Sequence, residues 1–134
     1  MSSPRRIILD TNFLMVFGLF GVDIVSEIDR ACPFSYKLCL LDKTISELDD
    51  IIEKQSGKNK SAAELAKKLI ENKKISIIDT SNEKDYVDDV LVKIAEKEKN
   101  IIVATNDIEL IKRLKEKNIP IIRLRQKKYV VLEE

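Results

Sequence analysis

The residues of this chain best suited to chemistry are carboxylates that directly follow apolar runs. Asp10 ends such a run in RRIILDTNF, Asp79 ends ISIID, and Asp107 follows NIIVATN. An acid at the start of a helix also has a structural explanation, because it complements the helix dipole. We favour that explanation for Asp79 and Asp107, since Asn106 and Glu109 have the spacing of a capping box. For Asp10 the structural and functional explanations stay equally open.

The absence of histidine limits the chemistry open to this chain. A chain without histidine forms no Ser-His-Asp triad, no Cys-His pair and no histidine-containing zinc site. Cys32 and Cys39 make no CxxC pair, and without a secretory signal we interpret them as reduced core residues. Carboxylates remain as the reactive groups, and they prefer hard cations.

Charge and hydropathy are typical of an ordinary soluble protein. The 24 lysines and arginines balance 23 acidic residues among 134, so contact with nucleic acid would depend on local patches. The apolar fraction of 44% predicts a single domain over residues 1–134. The most apolar early run, at 13–22, is too short to span a bilayer and has no cleavage pattern. We therefore interpret it as a buried segment of a cytoplasmic protein that has no membrane partner.

Short apolar runs alternate with amphipathic segments along the chain. Five runs have the composition of buried strands, at residues 6–9, 37–41, 75–79, 100–104 and 120–124. Helical periodicity occurs at residues 11–30, 44–54, 61–73, 84–98 and 107–117. This alternation predicts an α/β fold with a central, mainly parallel sheet of about five strands covered by helices on both faces. Residues 127–133 would add an edge strand, and QSGKNK at 55–60 would form a flexible loop.

Ligands of open parallel sheets bind beyond the carboxyl ends of the strands, where the strand-ending acids fall. The predicted helix YVDDVLVKIAE, at 86–96, offers a further carboxylate. Asp88 lies beside the apolar face that includes Leu91 and Ala95, whereas Asp89 points away from it and is explained as a solvated acid. A carboxylate beside a buried face is costly without a partner. Asp88 therefore requires a cation, a hydrogen-bond donor or a metal ion.

Glu47 has a structural explanation in its spacing. The residues TISE, at 44–47, have the pattern of a capping box with Thr44 as the N-cap. Asp49 and Asp50 follow closely, and helical periodicity does not choose among the three acids.

Four segments, taken in order, resemble a PIN domain. They are ILDTNFLM at 8–15, SELDDI at 46–51, YVDDVLVKIA at 86–95 and VATNDIEL at 103–110. More closely, FGLFGVDIVSEID, the VDD pair and the tail IPIIRLRQKKYVVLE resemble archaeal relatives of the eukaryotic small-subunit rRNA-processing PIN nucleases. The chain resembles the PIN toxins of toxin–antitoxin operons less. The resemblance implies a three-layer α/β/α fold and an endoribonuclease that hydrolyses phosphodiester bonds in rRNA or other RNA with Mg²⁺ or Mn²⁺.

The resemblance also implies a four-acid catalytic and metal-binding site with polar residues beside it. The acids are Asp10, Glu47, Asp88 and Asp107, and the supporting residues are Asn12, Thr105, Asn106 and Asp89. For Glu47 it is the resemblance, and not the spacing, that selects this role. Carboxylates gathered in one site raise one another's pKa, so a divalent cation would stabilise the cluster.

Contacts with substrate would come from basic residues around the acids. If 123–127 is extended, Arg123, Arg125 and Lys127 face one side and could follow an RNA backbone. We favour the structural alternative, a charged sheet edge that discourages aggregation. Lys58 and Lys60 have the same two explanations. Stacking of aromatic side chains on bases has little support, because the three tyrosines are scattered and tryptophan is absent.

Several other function classes lack their defining residues. The first predicted strand is not followed by the acidic pair of a receiver domain or the Asp-x-Asp of a haloacid-dehalogenase-like phosphatase, and no GxGxxG motif for dinucleotides occurs. Two alternatives remain: a non-catalytic PIN-like scaffold that binds RNA or protein in a processing complex, and a toxin-type PIN ribonuclease. The expected partners are RNA, an RNA-processing protein and a second copy of the chain in a homodimer.

Overall fold

Strands and helices alternate throughout residues 4–134, the part of the chain that the computed structural model describes. In chain order they are β1 Arg5–Leu9, α1 Thr11–Leu14, α2 Val16–Phe20, α3 Ile24–Ala31, β2 Tyr36–Leu41, α4 Asp42–Lys54, α5 Gly57–Asn72, β3 Ser76–Ile78, α6 Val87–Lys97, β4 Ile101–Ala104, α7 Ile108–Glu116, β5 Ile121–Arg125 and β6 Tyr129–Glu133. The five predicted strands and the added edge strand at 127–133 are confirmed to within a few residues, but the burial predicted for the third is wrong, because β3 lies at a sheet edge and Ile77 is 54% exposed. The single domain predicted for 1–134 includes residues 1–3, which lie outside the described residues.

The strands form one sheet in the order β3-β2-β1-β4-β5-β6. Strands β1 to β5 are parallel, and β6 pairs antiparallel with β5. The chain moves outward from β1 through β2 to β3 and then returns to place β4 on the other side of β1. This reversal of strand order opens a crevice at the carboxyl ends of β1 and β4, which is where such sheets bind ligands.

Helices cover both faces of the sheet, as the apolar runs predicted. Along β1, Ile7 and Leu9 pack into a core that contains residues of α1 to α5. Ile8, between them, packs into a second core with residues of α6 and α7. Successive side chains of a strand point to opposite faces, so a strand buried on both faces must be apolar throughout. The three-layer α/β/α architecture is confirmed.

The predicted helix at 11–30 is wrong, because that segment forms three short helices. Gly21 ends α2 in the left-handed region, with φ of 71°, and the chain then turns into α3. The interpretation of 13–22 as buried is also wrong at Phe17 and Phe20, which are 44% and 42% exposed. A Cβ atom at Gly18 would lie 2.5 Å from the Cα of Ala62, so α2 packs directly on α5.

The loop predicted at 55–60 is mostly helical. Helix α4 ends at Lys54 and α5 begins at Gly57, so only two residues separate them. Lys58 and Lys60 are exposed in the first turns of α5. The composition of this segment is typical of a loop, but residues 57–60 form the first turn of α5, whose buried face begins at Ala62.

Two further expectations concern the cysteines and the membrane. Cys32 and Cys39 are buried free thiols, in agreement with the prediction of reduced core residues. None of the helices within residues 4–134 combines the length and apolar character needed to cross a membrane.

Candidate active site

The four predicted acids meet at the crevice where the strand order reverses. Asp10 follows β1 and Asp107 follows β4, and these strands are paired up to Leu9 and Ala104. Glu47 comes from α4, while Asp88 lies in the first turn of α6. All four line one cleft of about 370 Å³. Residues far apart in the sequence are thus brought together, as the predicted site requires.

Asp10 lies at the floor of this cleft and is only 6% exposed. It precedes α1, but its side chain makes no capping hydrogen bond. The carboxylate instead accepts a hydrogen bond from the Thr105 hydroxyl, with 2.9 Å between Oγ1 and Oδ2. Capping of a helix therefore does not explain this carboxylate.

Burial raises the pKa of Asp10 to about 6. Hydrogen bonds from the Thr105 hydroxyl and the Thr11 backbone oppose that rise, whereas the charges of Asp88 and Glu47 add to it. At neutral pH the group is thus an ionised carboxylate in an unfavourable environment. A cation placed beside it would remove much of that cost.

Asp88 is half-buried in the cleft, as its position beside the apolar face of α6 predicted. Burial raises the pKa of its carboxyl group, and the charge of Asp107 raises it further, while Arg113 lowers it. Its neighbour Asp89 pairs with Arg113 of α7 at 2.8 Å. The interpretation of Asp89 as merely solvated is therefore incomplete, because this ion pair ties α6 to α7.

The capping box predicted at 44–47 is wrong, because α4 begins two residues earlier, at Asp42. Thr44 is buried within the first turn, and the N-cap position is Leu41. Glu47 is left free to reach the cleft, where it accepts a hydrogen bond from the Thr11 hydroxyl at 2.6 Å. The helix starts early because β2 ends at Leu41 and leads into it directly, which the capping pattern does not reveal.

The capping box predicted at 106–109 is also wrong. Asp107 itself is the N-cap of α7, and its Oδ1 accepts from the Leu110 N–H at 3.1 Å. The Asp107 N–H donates in turn to the Thr105 hydroxyl, so Thr105 joins two of the four acids. Asn106 has a different role, because its side-chain oxygen accepts from the Leu124 N–H of β5 at 2.9 Å.

The four acids have no basic partner in the cleft. Within residues 4–134, no ion pair joins Asp10, Glu47, Asp88 or Asp107 to a lysine or arginine. Across the same residues, no three acidic or cysteine side chains are already arranged as a complete metal-binding set. The donors are nevertheless all carboxylate oxygens, which suit Mg²⁺ or Mn²⁺.

Comparison with known proteins identifies the family. A family model described as a PIN like domain matches residues 7–127. The chain belongs to the PIN-like domain family. It is 36% identical over 126 residues to ribonuclease VapC4 of Methanocaldococcus jannaschii, covering 92% of this chain and 93% of that protein. It is 32% identical over 130 residues to ribonuclease VapC9 of Archaeoglobus fulgidus, covering 96% and 90%.

A solved structure agrees with this assignment at the level of the fold. The PIN domain endonuclease Utp24 superposes with a TM-score of 0.79 and 21% sequence identity, covering 97% of this chain and 92% of that one. The predicted PIN resemblance is confirmed.

The cleft of this PIN-like domain also contains Thr11, which the sequence did not single out, and Asp50, one of the three acids among which helical periodicity did not choose. Thr11 lines it and holds Glu47, and Asp50 lines it one helical turn after Glu47. Asp49 points to the other side of α4 and binds Lys67 of α5 at 2.5 Å. The three-residue spacing of Glu47 and Asp50 was the available signal, but it requires knowing which face of α4 meets the cleft. Asn12, a predicted supporting residue, also lines the cleft.

Asp79 lies outside the acidic cleft, but the predicted helix-dipole explanation is wrong, because β3 is followed by a turn and the next helix begins only at Val87. Its carboxylate accepts from the Ser81 N–H at 2.9 Å in the turn after β3. It lines a separate and larger cavity beside α6.

The predicted track of basic residues at 123–127 is wrong in its geometry. Strand β5 ends at Arg125, and Gln126 and Lys127 form a tight turn with φ of 53° and 55°. Arg123 and Arg125 both face Glu133, at 3.7 and 3.4 Å. Lys127 lies over the Phe20 ring. Neither these three residues nor Lys58 and Lys60 line the acidic cleft, so their contact with RNA stays a prediction.

Proposed function

We propose that this PIN-like domain is a divalent-metal-dependent endoribonuclease that hydrolyses RNA phosphodiester bonds during the processing of rRNA or other RNA. The observation that carries the proposal is a cleft lined by five carboxylates, of which all but Asp50 lack an ion pair with a lysine or arginine within residues 4–134. The two sequence relatives, both named ribonucleases, support the same activity. RNA is the proposed substrate.

Mg²⁺ or Mn²⁺ would be held by Asp10 and Asp88 as principal ligands, with Glu47 and Asp107 binding directly or through water. When bound, such an ion activates water and neutralises charge on the phosphodiester. The hydroxyl of Thr105 fixes the carboxylate of Asp10.

Two further contacts fix the other acids. The Thr11 hydroxyl fixes Glu47, and the N–H of Leu110 fixes Asp107. Ligands that are already oriented lose less entropy when they bind an ion or a substrate.

The decisive experiment follows cleavage of single-stranded and structured RNA with Mn²⁺, with Mg²⁺ and with a chelator. Asp10→Asn is the test variant, and Asp49→Asn is its control, because Asp49 faces Lys67 instead of the cleft. We expect Asp10→Asn to lower the rate by about 100-fold or more. Asp49→Asn should stay within about twofold of the wild type.

Three results would count against the proposal. Cleavage that persists in chelator would exclude the metal, and full activity of Asp10→Asn would exclude the cleft. Binding of RNA with no cleavage under any condition would favour the scaffold alternative.

A toxin-type PIN ribonuclease is a second candidate. Both sequence relatives are ribonucleases whose names mention no rRNA, and the match to Utp24, at 21% identity, shows the fold alone. Expression in a bacterial host separates the two candidates. A toxin-type nuclease would stop growth in a manner that depends on Asp10, whereas a processing nuclease would leave growth unchanged.

A predicted homodimer and a predicted RNA-processing partner belong to the same proposal. The mass of the purified protein in solution tests the homodimer. Co-purification of a processing protein from native cells tests the second partner.

A further inference from the structure

Two large apolar side chains stand out by their exposure. Tyr86 is 86% exposed and Ile108 is 74% exposed, more than any other large apolar side chain within residues 4–134. Tyr86 is the N-cap residue of α6, two positions before Asp88. Ile108 is the first residue of α7, directly after Asp107. Each therefore lies beside an acid of the cleft.

The starts of α6 and α7 each contribute an acid to the cleft, and the ion pair between Asp89 and Arg113, in the last turn of α7, joins the two helices at 2.8 Å. Asp88 and Asp107 line the same cleft. Tyr86 and Ile108 therefore lie within two residues of these acids along the chain, outside the set of residues that line the cleft itself.

The fold itself does not require an aromatic ring at position 86. The contribution of Tyr86 to α6 comes from its backbone carbonyl, which accepts from the Val90 N–H at 3.0 Å. Any residue that tolerates an extended backbone provides that carbonyl. A single exposed apolar residue needs no explanation, but a pair beside an acidic cleft does.

The segment before Tyr86 is firmly anchored on two sides. Lys93 of α6 pairs with Asp85 at 2.8 Å and with Glu83 at 3.4 Å. Lys43 of α4 donates to the backbone carbonyls of Thr80 and Glu83, at 3.0 and 2.9 Å. The backbone that carries the ring is thus held in place, which narrows the positions that the ring can sample and lowers the entropy lost when a ligand stacks on it.

We propose that Tyr86, with Ile108 as a second apolar contact, is a stacking platform for an unpaired nucleobase of single-stranded RNA entering the acidic cleft. This inference rests on the proposed ribonuclease function. An aromatic face accepts any base, because every base has a π-surface, and duplex bases are already stacked inside their helix. The platform therefore selects unpaired RNA over duplex without selecting a particular sequence.

The test measures binding of a short single-stranded RNA in Ca²⁺, with 2-aminopurine placed at each position in turn. Tyr86→Leu removes the ring and keeps the apolar bulk, whereas Tyr86→Phe keeps the ring. The control is Tyr129→Leu, on β6, where the ring is 38% exposed. We expect about tenfold weaker binding for Tyr86→Leu, because stacking on one aromatic ring has about that effect.

The two variants that keep an aromatic ring at position 86 should behave like the wild type. Tyr86→Phe and Tyr129→Leu should bind RNA within about twofold of the wild type. One 2-aminopurine position should be quenched in the wild type and in Tyr86→Phe, but not in Tyr86→Leu. Ile108→Ala should weaken binding less than Tyr86→Leu does.

The outcomes for the platform and for the nuclease can be distinguished. Equal affinity of Tyr86→Leu and wild type, equal affinity for duplex and single strand, or no RNA binding by the wild type would each overturn the platform. Binding that depends on Tyr86, with no cleavage in Mn²⁺ or Mg²⁺, would support the platform and contradict the nuclease. RNA cleavage together with RNA binding that does not depend on Tyr86 would support the nuclease and contradict the platform.

Discussion

Two concave regions of this protein differ in how their charges are balanced. The larger, of about 660 Å³, lies between the turn after β3 and α6. There Arg6 pairs with Glu98, and Lys93 pairs with Glu83. The smaller, of about 370 Å³, is the acidic cleft at the strand reversal, where the four acids have no basic partner within residues 4–134.

The comparison shows that unbalanced charge identifies the candidate site better than cavity size does. A surface ion pair is close to neutral in free energy, so the larger cavity carries little electrostatic strain. A buried carboxylate without a cation beside it lowers stability even when it accepts hydrogen bonds, and Asp10 is such a group. A cluster of carboxylates such as this one lowers the stability of the folded protein, and such clusters are typical of sites that bind a cation or perform chemistry.

The largest expected difference between the two regions is in catalysis. Asp88 and Glu96 both lie on α6, but Asp88 lines the acidic cleft and Glu96 lines the larger cavity. We expect Asp88→Asn to lower the rate of RNA cleavage by about 100-fold or more. Glu96→Gln, which loses an exposed pair with Lys117, should change the rate by no more than about twofold. A larger loss in Glu96→Gln than in Asp88→Asn would move the candidate site to the other cavity.

The second prediction concerns stability without metal. The pKa of Asp10 in the folded protein, about 6, lies above the ordinary aspartate value of 3.8. The folded state therefore binds the proton of Asp10 more tightly than the unfolded state does. The stability gained from this protonation is complete below about pH 4 and is lost as the pH rises through about 6. Asp10→Asn removes the charge, so we expect it to raise the free energy of unfolding above pH 6 by about 1–3 kcal/mol.

Urea denaturation in chelator between pH 4.5 and about 7.5 covers this window and measures the effect. The gain from Asp10→Asn should shrink toward the acidic end of the range. A difference from wild type that does not vary with pH, or a loss of stability at the highest pH, would contradict the strain assigned to Asp10. Asp49→Asn, whose carboxylate binds Lys67, serves as the control and should show no such gain.

The third prediction concerns Thr105, which joins two acids of the cleft. Its hydroxyl donates to Asp10 and accepts from the Asp107 N–H. Thr105→Val removes a hydrogen bond that lowers the pKa of Asp10, so that pKa should rise above its wild-type value. Cleavage should fall by about tenfold, the scale expected when a residue that orients a metal ligand is lost.

Carboxyl NMR of the metal-free protein measures the pKa of Asp10 in these variants. Thr105→Ser keeps the hydroxyl and should restore both the pKa and the rate. If Thr105→Val and Thr105→Ser behave alike, the hydroxyl does not orient Asp10.

The smallest effect is expected in the larger cavity. Glu98 pairs with Arg6, and both side chains are substantially exposed. Glu98→Gln should therefore change the free energy of unfolding by less than about 0.5 kcal/mol. The pH dependence of stability near pH 6 should stay as in the wild type, and thermal and urea unfolding measure both quantities.

Much of the sheet could be predicted from the sequence, because its central strands β1 and β4 are buried on both faces. Ile7, Ile8 and Leu9 are fully buried, so the run is apolar without interruption. Helix boundaries were harder to predict, since they depend on local backbone geometry. Gly21 ends a helix within a continuous apolar pattern, and Gly57 begins one within a polar segment.

The candidate site could be predicted only in part. The position of Asp88 beside the apolar face of α6 was visible in the helical period, but Glu47 depended on resemblance to a family. Its partner Thr11 is 36 residues away, and no local pattern reveals such a contact. Tyr86 was set aside as a scattered aromatic residue, because exposure and closeness to a cleft are properties of the folded chain.

The most direct test of the central claim is an anomalous diffraction map of crystals containing Mn²⁺. If the unbalanced carboxylates form the cation site, a manganese peak will lie among Asp10, Glu47, Asp88 and Asp107, and it will disappear in Asp10→Asn. The larger cavity will show no peak. Absence of manganese from the acidic cleft at saturating Mn²⁺, or a peak in the larger cavity alone, would contradict the account.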